Sequence, residues 1–441
     1  MKKISLVVLV LFALTISLFS ADNGPKYIFY FIGDGMSYPQ RMAAEEFSRG
    51  IGKGSLIMNK FPNHATTRTS SANRLVTDSA ASGTALACGE KTNNGTIGLA
   101  KDQKTPVTSA AVKFQQAGRK IGIATTVTIN HATPSSFYGH RPSRQQYYLL
   151  GLDLLDSKFD YFASAGFGSP DDKKCPQYKG NLYVLTKKAG YEVVSNADKF
   201  LAIKPSAKKV FAYGPCPFAI NNQNAKFSQA AIIKKGIELL DNPKGFFFMF
   251  EGGKIDYAGH ANDLVANIHE TLALDSAVKV AYEFYLKHPK DTLIIVAADH
   301  ETGGMTLKLN KNFVKYISLQ KMSSDALYKK LNDEMKAKKG YSFEDAKKFL
   351  NKYCGFDFTG KDQSKIAINV KEAKELEKAF ASKKLHVAVK YMIADKVGVS
   401  WSTTGHSALP ILCSSIGPQS EKFTGFIENT EIANKLKAMV K

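Results

Sequence analysis

At 441 residues, 44% of them hydrophobic, the chain can bury a large core and is too apolar to be disordered over most of its length. Its formal net charge is +21, carried by lysines scattered without interleaved arginines and aromatics (Lys308, Lys311, Lys315, Lys321, Lys329, Lys330). That scatter reads as solvated helical faces and argues against a specific nucleic-acid surface, although a diffuse positive field would still draw anionic substrates.

The chain opens with a basic pair, Lys2 and Lys3, followed by an apolar stretch from Ile4 to Phe19 and the small residues Ser20 and Ala21. This is the pattern of a cleaved signal peptide over 1–21, since the apolar stretch falls short of the ~20 residues a spanning helix needs. The mature protein, 22–441, is then expected to be exported, periplasmic or secreted, with no membrane span after cleavage. Five cysteines make an odd count. Export permits disulfides, and Cys175 with Cys216, both in Pro-flanked polar loops, is the first pair to test among pairings that sequence leaves open, while Cys88 and Cys413 lie in apolar runs and read as buried thiols.

Four apolar runs rich in β-branched and aromatic residues predict buried strands: Tyr27–Ile32, Ile121–Thr128, Gly245–Phe250 and Leu293–Ala298. Helical periodicity between them, as in Ser228–Leu240 and Leu264–Leu286, predicts an α/β fold on a mostly parallel sheet covered on both faces. Past the carboxyl ends of these strands stand Asp34, Thr133, Glu251, and Asp299 with His300. Ligands of open α/β sheets bind outside those ends. Singly, Asp34 between two glycines or Thr133 before Pro134 is a turn former; four loops together point to a site. Met305 to Val399 is Lys-rich and helical in pattern (Ser324–Lys338, Phe343–Lys352, Val370–Ala381) and reads as an insertion before the last strand.

Asp256 and His260 lie four apart, so on a helix they share one face and can bind one metal. His406, in the small-residue loop Thr403–Ser407, is a third imidazole beside His260 and His300. This nitrogen and oxygen set, free of cysteine, suits Zn²⁺, whereas Glu251, Thr133 and a shared Asp34 are harder and Mg²⁺-like. Ser79 follows Asp78 and opens a small-residue run, where its hydroxyl meets a helix N-terminus suited to a phosphoryl oxygen. Either residue is also a plain N-cap. No Gly-x-Ser-x-Gly elbow is present, so a metal is the expected activator of the serine. Arg141 and Arg144 both have the chemistry to clamp two phosphate oxygens.

At these residues the chain resembles the alkaline phosphatase family. The matches run in family order through Gly33-Asp34-Gly35, Val76 to Ala85 (VTDSAASGTA), His131 to Arg144 (HATPSSFYGHRPSR), Glu251 to His260 (EGGKIDYAGH), Ala298-Asp299-His300 and Thr404-Gly405-His406. The resemblance implies a three-layer α/β/α sandwich forming a single catalytic domain over 22–441, commonly dimeric. It implies hydrolysis of phosphate monoesters through a phosphoserine at Ser79, with inorganic phosphate as product and inhibitor. It assigns one Zn²⁺ to Asp256, His260 and His406, and a second to Asp34, Asp299, His300 and the Ser79 oxygen. The third ion, Mg²⁺, falls to Asp34, Thr133 and Glu251, and Arg144 takes the clamp role. His131 stands behind the third ion, where some members carry Asp. Tyr257 stands where others place Lys, His or Trp facing the phosphate.

Overall fold

Seven consecutive buried residues, Tyr27–Gly33 (β1), run through the interior of a ten-stranded sheet. The computed structural model describes residues 24–206, 208–222 and 225–440, and the expected signal peptide at 1–21 lies outside them. The other strands are Asn63–Arg68 (β2), Lys120–Thr125 (β3), Tyr161–Ser164 (β4), Glu192–Val194 (β5), Val210–Tyr213 (β6), Phe246–Glu251 (β7), Thr292–Ala298 (β8), Ile411–Ile416 (β9) and Gly425–Glu428 (β10). They lie in the order β10-β2-β9-β8-β1-β7-β3-β4-β6-β5. Only β9 runs antiparallel to its neighbours, β2 and β8.

Both faces of the sheet are covered, as the unbroken apolar strands require. Phe246 packs on Phe284 while the next residue, Phe247, stacks on Phe114. Successive strand residues point to opposite faces, so the helices Leu264–Lys287 and Ala110–Gln116 lie on opposite sides. The four strands expected from the sequence are β1, β3, β7 and β8. The second of the expected ends differs, because β3 stops at Thr125 rather than Thr128, where its partner β7 ends at Glu251. Two strands, β9 and β10, follow the Lys-rich segment where one was expected; β10 has four residues, two of them exposed, and no apolar run.

That segment leaves and rejoins the fold at one neck, where Met305–Leu307 pairs antiparallel with Val399–Trp401. Its helices include Ser324–Ala337, Phe343–Cys354 and Val370–Ala381, close to the expected bounds. The expected Cys175–Cys216 disulfide is not formed: all five cysteines are free thiols. Cys175 lies beside Gln145 and Pro176, whereas Cys216 lies beside Pro215, Gln229 and Glu270, in a different cavity. Cys88 and Cys413 are buried, as expected. Among the described residues no helix is long and apolar enough to cross a membrane.

The helix Ser79–Cys88 (α1) is buried at all ten positions, and its mostly small residues let neighbouring segments approach it closely. Asp78 caps it by accepting from the Ala81 N–H at 3.0 Å, and Gly89 ends it in the left-handed conformation. Gly83 lets α1 approach the Thr133 turn: a Cβ there would stand 2.8 Å from Ser136 Oγ and 3.2 Å from Thr133 Cα. Gly83→Ala should therefore destabilise by about 1–2 kcal/mol, overpacking outweighing the ~1 kcal/mol gained in helix propensity. Urea unfolding checks this; a raised midpoint would mean that the Thr133 turn yields freely.

Candidate metal centre and nucleophile

The sheet register sets the acidic groups side by side. Gly33 pairs with Ala298, which puts Asp34 abreast of Asp299, and Thr125 pairs with Glu251 across β3 and β7. Asp256 enters from the helix Lys254–His260 (α2), which starts just past β7. Asp34, Glu251, Asp256 and Asp299 are all buried. Burial first, and then the charges of the other three, push the Asp34 carboxyl well above its ordinary range. Burial likewise lifts Glu251 to about 7, and burial with the Asp256 charge lifts Asp299 to about 8. Asp256 goes the other way. Burial opposes its charge, but its contact with His260 and the neighbouring imidazoles hold it well below the carboxylate range.

Three imidazoles turn the same nitrogen inward. His260 Nδ1 donates to the Thr404 carbonyl at 2.5 Å, and His406 Nδ1 donates to the Thr77 carbonyl at 2.8 Å. His300 Nδ1 meets Thr302 Oγ1 at 3.2 Å, and that hydroxyl donates to Asp256 Oδ1 at 2.5 Å. Fixing Nδ1 as the donor leaves each Nε2 with a free lone pair, the arrangement of metal-binding histidines. His260 Nε2 lies 3.3 Å from His406 Nε2 and 3.4 Å from Asp256 Oδ1. His300 Nε2 lies 3.2 Å from Asp299 Oδ2, 3.5 Å from Asp34 Oδ1 and 3.1 Å from Ser79 Oγ.

These groups form three sets whose donor atoms lie within 4.8 Å of one another: Asp256, His260 and His406; Asp34, Asp256 and His300; and Asp34, His131 and Glu251. Asp299 joins the second through His300. His131, expected to stand behind the ligands, has a ring nitrogen within reach of the third. The residues fit divalent cations on a further ground. Both oxygens of Asp34, Asp299 Oδ2, Glu251 Oε1, Thr133 Oγ1 and His131 Nδ1 are buried without a hydrogen-bond partner. Such atoms each cost free energy unless they are ligands.

Arg144 Nη1 donates to Asp78 Oδ2 at 3.0 Å, and its Nη2 lies 3.4 Å from His131 Nε2. Arg141 is bound through Nε and Nη2 to Asp153, away from this centre. Burial and the Arg144 charge depress His131 to about 4, so it is neutral and able to bind a cation. Tyr257, 40% exposed, stands at the rim with its ring edge-on to His131. His64, His269, His288 and His386 lie outside these sets and contact Ser414, Phe47, Tyr27 and Tyr328 respectively.

The residues missed by the sequence reading are the ones that orient the ligands. Thr302 spans Asp256 and His300, Thr125 holds Glu251, and Asp78 holds Arg144. Isolated hydroxyls carry no spacing signal. Thr302→Val should weaken zinc binding about tenfold while Thr302→Ser retains it, by competition with a chromogenic chelator. Equal affinities for all three proteins would show that His300 and Asp256 hold their places without the hydroxyl.

A family model described as alkaline phosphatase matches residues 25–152 and 162–441. Alkaline phosphatase 4 of Bacillus subtilis (strain 168) is 31% identical over 428 residues, covering 93% of this chain and 87% of that protein. The crystal structure of a cold-active alkaline phosphatase from Shewanella sp. matches with a TM-score of 0.79 and 27% identity, over 94% of this chain and 100% of that one. The enzyme of the Antarctic bacterium TAB5 matches with a TM-score of 0.67 and 25% identity, over 95% of this chain and 98% of that one. A variant of the TAB5 enzyme is described with Mg bound in its M3 site. The chain belongs to the alkaline phosphatase family, metal-dependent enzymes whose substrates are phosphate monoesters.

Proposed function

We propose that this alkaline phosphatase hydrolyses phosphate monoesters by way of a phosphoserine at Ser79, with two Zn²⁺ and one Mg²⁺ in the three carboxylate–histidine sets. The observation that carries this reading is the position of Ser79 Oγ, buried at the first turn of α1 and 3.1 Å from His300 Nε2. Asp256, His260 and His406 would hold one Zn²⁺, and Asp34, Asp299, His300 and the Ser79 oxygen the other. Asp34, Thr133 and Glu251 would hold Mg²⁺, with His131 close by; the Mg reported in the TAB5 variant supports a third site of this kind. When bound, these ions supply Lewis acidity that favours the serine alkoxide and the departing alkoxide.

Ser79 gives up its proton to solvent water and attacks phosphorus in line, and the departing alkoxide takes up a proton from water. The Oγ–P bond forms as the ester P–O bond breaks, and the alcohol leaves. Water then attacks the phosphoserine, releasing inorganic phosphate and restoring the Ser79 oxygen. Arg144, aimed by Asp78, binds two non-bridging oxygens, and the N-terminal end of α1 faces the same charge. Inorganic phosphate presents those oxygens too, which supports product inhibition. Tyr257 at the rim would contact the phosphate or its alcohol. Export is proposed from the Lys2–Ala21 pattern, and a homodimer and a single catalytic domain from the family resemblance.

Exhaustive chelation should abolish turnover of a chromogenic monoester, and Zn²⁺ with Mg²⁺ should restore it; full activity without metal would sink the reading. Ser79→Ala should lose the phosphoenzyme trapped by acid quench with labelled substrate. A label that persisted would move the nucleophile elsewhere.

A further inference from the structure

The Lys-rich segment ends in the helix Leu385–Val397, which reaches the turn directly after His260. Tyr391 OH donates to Asn262 Oδ1 at 2.8 Å. Asn262 Nδ2 in turn donates to the carbonyls of Gly259 at 3.0 Å and Thr403 at 2.9 Å. One side chain thus ties the end of α2 to the loop that carries His406. The carbonyl next to that tie, Thr404, is the acceptor that orients His260.

Two more bonds from the segment hold the same turn. Lys390 Nζ donates to the Ala261 carbonyl, and the Ser324 N–H donates to Asp263 Oδ2 at 2.6 Å. Asn262 has φ +47°, in the left-handed region that asparagine tolerates better than most residues. It is buried, so its amide oxygen depends on the Tyr391 hydroxyl for a donor. Without that donor the buried amide oxygen is left unpaired, and the two Nδ2 bonds to Gly259 and Thr403 must hold the turn alone against that cost.

We infer that Tyr391 is a positioning residue: through Asn262 it fixes the spacing of His260 and His406, giving the Lys-rich segment a role at the metal centre. This rests on the reading that Asp256, His260 and His406 hold a metal ion. Tyr391 touches neither ligand, and its ring is partly exposed, so Tyr391→Phe removes the hydroxyl with little change in packing.

The test is zinc transfer from the holoenzyme to a chromogenic chelator, following the kinetic phase that His260→Ala removes. Tyr391→Phe should speed this phase about tenfold, the usual effect of removing an outer partner of a metal ligand, with thermal unfolding of the chelated protein little changed. Leu331→Ala, in the buried face of Ser324–Ala337, should lower thermal stability without speeding release. Release from Tyr391→Phe at the wild-type rate would overturn the inference. So would equal acceleration by Leu331→Ala, which would reduce Tyr391 to general support of the segment. A wild-type protein that binds no zinc would instead overturn the metal reading beneath it.

Discussion

Four carboxylates, Asp34, Glu251, Asp256 and Asp299, share one buried crevice, and their mutual repulsion is the constraint to which the rest of the site answers. Two like charges ~4 Å apart cost about 4 kcal/mol at an effective dielectric of 20. Three of the four are pushed above their ordinary ionisation range by burial and by one another. The nearby guanidinium of Arg144 is already engaged by Asp78. Protons or divalent cations must therefore offset the charge, and the inward Nε2 atoms of His260, His300 and His406 favour cations over protons.

The sheet makes this crowding sustainable. β1, β7 and β8 are apolar along nearly their whole length, so charge collects only at their carboxyl ends. Parallel pairing gathers those ends, so that Glu251, the last residue of β7, shares a crevice with Asp34 and Asp299, the residues just after β1 and β8. Stability comes from the buried aromatic layers beneath, among them Phe29, Phe246, Phe247 and Phe284. A site this unfavourable without its counter-charges needs such a foundation.

The sequence exposed this plan unevenly. Apolar runs made β1, β3, β7 and β8 legible, and chemically loaded residues just past them made the ligand set legible too. β2, Asn-His-Ala-Thr-Thr-Arg, was not, because its half-exposed residues lack an apolar run and it is defined by pairing with β9. The supports of the site escaped for a related reason. Thr302, Thr125 and Asn262 act through hydrogen bonds that reach residues far away in the chain, Asp256, Glu251 and Thr403 among them, and His260 and His406 are oriented by main-chain carbonyls that any residue supplies. The cysteine pairing failed because loop polarity and flanking prolines say nothing about which loops meet.

Thr77, Asp78 and Ser79 show how closely the proposed reaction is tied to one short stretch of chain. The Thr77 carbonyl orients His406; the Asp78 carboxylate caps α1, takes the Gly95 N–H and aims Arg144; Ser79 carries the proposed nucleophilic oxygen. His406, Arg144 as the proposed phosphate clamp and Ser79 Oγ as the proposed attacking atom therefore move together whenever the start of α1 moves. α1 is fixed in turn by complete burial and by the close approach of Gly83 to the Thr133 turn, which carries His131 and Thr133 of the third group. His406 is held from its other side by the loop that Asn262 anchors. In the proposed reaction, register between attacking and departing oxygens would thus be set by main-chain contacts on both sides of the crevice, with metal ligation closing an arrangement the fold has already brought within reach.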